Sequence, residues 1–240
     1  MNAAALAVFA GLLLLSIDTG SGRAAGPPAQ EEASRADHRI EVDARSAPWN
    51  AVAKIQTNIG TKCTGVLIAP TLVLTAAHCL YNRRTRALLG PGSLHVLFGF
   101  RQGSYLWHGL VTRYVIAQEF DGEQPAVRPD ADWARLELGA SPPGIKPLPI
   151  AGDVPLANTP IMLPGFSQDR SQVLLAERCR TTGILMNNGR SLLTHNCATP
   201  HGTSGAPLLM RHEDSWTVVG LNVGRLGSTG LALPVANLGD

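Results

Sequence analysis

The 240-residue chain carries almost no excess charge, with 20 Lys and Arg against 18 Asp and Glu for a formal net charge of +2. The basic residues are scattered, which leaves no electrostatic footprint for a nucleic acid. Heptads, internal repeats and long amphipathic helical patterns are missing, so coiled coils, solenoids and helical bundles are excluded. Cysteine is scarce, at four residues. The first is Cys63, which rules out a lipid-modified cysteine at a processed amino terminus. Long apolar runs are lacking too. The one at the amino terminus, Met1 to Ile17, falls short of the ~20 residues a membrane-spanning helix needs.

That run is followed by Asp18 and the small residues Thr19, Gly20, Ser21 and Gly22. No Lys or Arg precedes it, so only the terminal amine supplies the positive end. Residues 1–24 read as a signal peptide cut somewhere in 22–25. The expected location is therefore secreted or periplasmic, with no stable membrane association after cleavage. Residues 25–36 hold Gly, Pro, Ala, Gln, Glu and Ser, too little apolar surface to pack, and 25–45 read as a leader or amino-terminal arm. Four cysteines in an exported chain point to two disulfides. Three pairings are possible, and sequential pairing closes short loops that suit two compact units.

A hydrophobic content of 45% is enough to bury a sizeable core. Short apolar runs alternate with Gly, Pro, Asn and Asp breaks: Val52 to Gln56, Thr64 to Ile68, Leu72 to Ala76, Leu94 to Phe100, Leu106 to Ile116 and Trp133 to Leu138. After the break Ser141-Pro142-Pro143-Gly144 a second series includes Ile161 to Leu163, Thr182 to Met186, Ser191 to Thr194, Ala206 to Met210 and Trp216 to Val223. Runs this short and rich in Val, Leu, Ile and Thr are strand signals. The fold expected is all-β, two packed six-stranded antiparallel barrels over 46–140 and 141–240, with a site in the cleft between them.

Three segments carry chemistry. Leu74-Thr75-Ala76-Ala77-His78-Cys79 places a histidine at the end of an apolar strand. Asp130-Ala131-Asp132-Trp133 offers a carboxylate, and Gly202-Thr203-Ser204-Gly205 a serine framed by glycines. A serine hydroxyl is a poor nucleophile until a neighbouring imidazole takes its proton. An imidazole, whose unperturbed pKa lies near ~6.5, can accept that proton, and His78 is the candidate. A carboxylate on the other ring nitrogen fixes the tautomer; Asp132 suits this role, while Asp130 is expected to be solvated beside Arg128-Pro129. The backbone N–H groups of Gly202 and Ser204 are spaced to receive an oxyanion.

In these motifs and their order the chain resembles the chymotrypsin-like serine peptidases, and among them the bacterial glutamyl-endopeptidase, or V8-like, branch. The resemblance runs over about 37–235. It implies a serine endopeptidase acting on polypeptides through an acyl-enzyme, with His78, Asp132 and Ser204 as the triad, no cofactor, no metal and a monomeric state. It also implies a Cys63–Cys79 bridge beside His78 and a Cys179–Cys197 bridge before the nucleophile.

Departures narrow the expectation. Where family members activated by cleavage carry an Asp before the nucleophile, this chain has Thr203, so activation by a terminus freed at Arg39-Ile40 is not expected. At the base of the substrate pocket the trypsin-like Asp is replaced by Ala198, and the histidine of glutamyl endopeptidases by Asn222, leaving Thr199 as a polar donor. Arg225 reads as a solvated surface residue. His95 and His108 read as structural or exposed, His212 as part of a polar turn, and His195 and His201 as flanking the pocket segment. Two other classes are less well supported. One is a catalytically weak binding protein on the same fold. The other is a metal site drawn from Cys63, His78, Cys79, His195 and Cys197, disfavoured because exported cysteines oxidise.

Overall fold

The computed structural model describes residues 37–238. The expected signal peptide, 1–24, and residues 25–36 of the expected leader lie outside the described residues. The remainder of the arm is not loose: its strand β1 (Ile40–Glu41) pairs antiparallel with a strand far along the chain.

Strands β2 (Val52–Thr57), β3 (Lys62–Ala69) and β4 (Leu72–Thr75) follow, then the small hairpin β5 (Tyr81–Asn82) and β6 (Ala87–Leu88). With β7 (Leu94–Phe98), β8 (Trp107–Ile116) and β9 (Ala134–Leu138), the first barrel closes in the order β2-β3-β4-β9-β8-β7. The second group comprises β10 (Pro160–Gly165), β11 (Leu175–Asn187), β12 (Arg190–His195), β13 (Pro207–His212), β14 (Ser215–Leu226) and β15 (Thr229–Pro234). These run in the order β11-β10-β13-β14-β15-β12, and β12 pairs back onto β11. The strand β1 adds to β11 at Ile40↔Ala176. Closure removes the open sheet edges that short Val-, Leu- and Thr-rich strands would otherwise expose. The architecture is the all-β pair of barrels expected.

A single apolar cluster runs through both barrels, from Leu67, Leu74 and Leu136 to Leu209, Leu221 and Leu233. Side chains of this size contribute about 1.5–3 kcal/mol each when fully buried, which offsets the cost of ordering so many short strands. The Pro-rich break is part of this packing. Ile145 and Leu148 are buried, Leu148 N donates to Leu67 O at 2.9 Å, and Val218 N donates to Pro149 O at 2.8 Å.

Several elements differ from expectation, the short strands β1, β5 and β6 among them, since none lies in a run read as a strand. Strand β15 (Thr229–Pro234) also lies beyond the last run read as a strand, Trp216 to Val223. Strand β11 begins at Leu175 rather than near Thr182, its polar Arg178 and Arg180 facing out between inward residues.

Candidate active site

His78 sits in a tight 3-10 turn, Ala77–Leu80, directly after β4. Ala76 and Ala77 are fully buried, and only small side chains let the turn press against the barrel. Cys79 is bonded to Cys63 of β3, which staples the turn in place. The imidazole itself is 26% exposed, open to solvent on one side.

Asp132 follows another 3-10 turn, Pro129–Ala131, and its carboxylate is 3% exposed. One oxygen accepts the His78 backbone N–H at 2.8 Å and the other meets Nδ1 at 2.5 Å. A carboxylate only accepts, so Nδ1 carries the proton and Nε2 keeps its lone pair free. Asp130, expected to be solvated, is instead 2% exposed. It is held by Arg128 at 3.1 and 3.0 Å and by Asn188 at 3.4 Å. Burial alone would raise its pKa, but these hydrogen bonds hold the carboxyl below the ordinary range.

Ser204 lies between two glycines with backbone that other residues rarely adopt, Gly202 at φ +98° and Gly205 at φ +78°. A Cβ on Gly205 would lie 2.2 Å from Thr64 O and 2.3 Å from Thr75 Oγ1. The residue after the serine therefore rests on the chain just before His78, and Ser204 O accepts from Thr64 N at 2.9 Å. Gly205→Ala should cost about 2–5 kcal/mol, since a left-handed backbone costs about 1–2 and overpacking a further 1–3. Thermal unfolding of the variant checks this.

Thr203 has no charge, and its loop is tied by neutral bonds. Its hydroxyl donates to Pro200 O at 2.8 Å, and its carbonyl accepts from Asn222 Nδ2 at 2.9 Å. Asn222 is 1% exposed, beside a register shift in β14 between Asn222 and Gly224. Its amide oxygen faces His195 Nε2 at 3.3 Å. Ala198 and Thr199 are half-buried, and Ala198 N donates to Glu177 Oε2 at 2.7 Å. The Cys179–Cys197 bond joins the strand of Glu177 to the residue before Ala198.

His195 is fully buried, and Nδ1 has no hydrogen-bond partner. Burial pushes its pKa down to about 4. The unfolded chain binds this proton near ~6.5 and the folded chain resists it, so stability falls as pH drops from about 6.5 towards 4, by at most ~1.4 kcal/mol per pH unit. His195→Gln should flatten the pH dependence of the urea midpoint in that window. Of the other histidines, His95 Nδ1 and His108 Nε2 are 2.9 Å from each other on the first barrel, His38 and His212 are exposed, and His201, also exposed, directly precedes Gly202. Cys63, His78 and Cys79 cluster closely enough to suggest a metal, but both sulfurs are spent in the disulfide.

Sequence reasoning missed Thr64, Glu177 and the role of Asn222. Each acts on residues distant in the chain: Thr64 Oγ1 donates to Gly202 O at 2.9 Å and accepts from Phe166 N at 2.9 Å. No local motif signals such contacts.

The model of a trypsin-like peptidase domain matches residues 63–221, a span that contains His78, Asp132 and Ser204, and the chain belongs to this family. Tonin of Rattus norvegicus is 27% identical over 226 residues, 90% of this chain and 76% of tonin. Submandibular glandular kallikrein-9 of the same species is 43% identical over 83 residues, 35% of this chain and 29% of the kallikrein. Serine protease 23 of Bos taurus is 26% identical over 195 residues, and the chain spans 50% of its length. A solved Glu endopeptidase shares the fold at a TM-score of 0.69 and 22% identity, over 83% of this chain and 91% of that one.

Proposed function

We propose that the chain is an exported serine endopeptidase in which Ser204 is the nucleophile, His78 the general base and acid, and Asp132 the residue that orients His78. The observation that carries this is the double contact of Asp132 with the backbone and ring of His78, in a turn against which Gly205 packs. Nε2 of His78 takes the Ser204 proton as Oγ bonds to the scissile carbonyl carbon. The oxyanion is received by the N–H groups of Gly202 and Ser204, and loss of one such donor typically costs about 10²–10³ in rate. The imidazolium returns the proton to the leaving amine, the acyl-enzyme forms, and water repeats the sequence to release the acid.

Ala198 and Thr199 line the substrate pocket, and Asn222 is its inner wall. With no charge at Ala198, the pocket has no partner there for a Lys or Arg side chain. Export is supported by the two disulfides, which reducing compartments do not sustain. The test is to incubate the protein with an unfolded polypeptide and sequence the new termini. Cuts abolished by a fluorophosphonate are expected, while an intact substrate would defeat the reading.

A further inference from the structure

With Thr203 uncharged, no ion pair at that residue holds the oxyanion loop, and its neutral bonds are supplemented by a neighbouring segment. That segment is the connection between β10 and β11, residues 166–174. Gly202 packs so closely on it that a Cβ would lie 2.4 Å from Phe166 O and 3.0 Å from Gln168 N. Gln168 N also donates to His201 O at 2.6 Å. Whatever fixes 166–168 therefore fixes the N–H of Gly202.

Thr64 Oγ1 accepts from Phe166 N at 2.9 Å, and two cations grip the connection further along. The Arg39 guanidinium donates to Ser167 Oγ at 2.9 Å and to both Asp169 carboxylate oxygens at 3.1 and 2.6 Å. The Arg39 side chain is 13% exposed. Further along, the ammonium of Lys54, buried in β2 over the Phe100 ring, donates to Ser171 O at 2.8 Å. Arg39 is held in turn by β1 on β11 and by Val42 N donating to Leu174 O at 3.1 Å.

We propose that Arg39 is a positioning residue: the amino-terminal arm clamps residues 167–169 through its guanidinium and so holds the Gly202 oxyanion donor, the task an inserted terminus performs in cleavage-activated relatives. The forked guanidinium–carboxylate pair is directional as well as strong, which suits holding a loop in one place. Asp169 fits this. The Arg39 hydrogen bonds hold its carboxyl well below the usual carboxylate range, so the pair stays ionised at working pH. Ile40, by contrast, is 51% exposed in β1. Cleavage at Arg39-Ile40 would remove the clamp rather than create an activator.

The inference rests on Gly202 as an oxyanion donor, so its test has one arm that needs no catalysis. Arg39→Ala and Asp169→Ala should each lower kcat about 10- to 100-fold with KM little changed, as small misplacements of transition-state donors do. The double variant should be no slower than the worse single, and Arg39→Lys should restore part of the rate. Protein starting at Ile40 should be slower than protein starting at Asp37. In the same variants, hydrogen exchange in peptides covering 198–205 should speed up. Wild-type kcat in Arg39→Ala, additive losses, or a faster Ile40 form would overturn the clamp. If the wild type proved to have no peptidase activity, the proposed function would fail. Exchange alone would then decide the clamp, and unchanged exchange in Arg39→Ala would refute it.

Discussion

Ser204→Ala is expected to lower kcat about 10⁶-fold, the loss seen when the nucleophile-base unit of a serine protease is disabled. KM and the unfolding temperature should stay near wild type. The reason is local. Ser204 fixes its loop through its carbonyl, which accepts from Thr64 N at 2.9 Å, and through Gly205 N, which donates to Asn222 O at 2.7 Å. Alanine keeps those backbone bonds and removes only the hydroxyl. Steady-state kinetics on a peptide substrate together with thermal unfolding measure both halves of the expectation. A variant that loses rate only because it unfolds would not support the role.

Asp132→Asn is expected to cost about 10⁴-fold in kcat near neutral pH. Both carboxylate oxygens now accept, one from the His78 backbone N–H and one from Nδ1. An amide has only one acceptor. If its oxygen stays on the backbone N–H, its NH₂ must face Nδ1, which then has to be the lone-pair nitrogen. The proton moves to Nε2, the atom that must receive the serine proton, and the base is blocked without any change of shape. Asp132→Asn should therefore keep its fold while losing rate. NMR of the imidazole nitrogens would show the tautomer exchanged.

The proposed triad could be put forward from the sequence because each member lies in a short distinctive run: His78 after small buried alanines, Ser204 between glycines, Asp132 before a strand. Most strands were equally legible, since inward Val, Leu and Ile mark them. What the sequence hid depends on distance along the chain. Asp130 looked solvated beside Arg128 because Asn188, its other partner, comes from the β11–β12 hairpin. Asn222 read as a pocket residue, and nothing near it in the chain announced that its amide donates to Thr203 O. Arg39 entered only through the Arg39-Ile40 bond, where activating cleavage was not expected, and its partner Asp169 is brought to it by the β1–β11 pairing. Lys54, in a strand with no other charged residue, gave no hint that Ser171 O would receive it.

The most direct measurement is to treat the protein with a fluorophosphonate, digest it, and find the modified residue by mass spectrometry. The account predicts one adduct, on Ser204, formed quickly in the wild type and almost not at all in His78→Ala. Labelling at another serine, or equal labelling of Ser204 without His78, would contradict it.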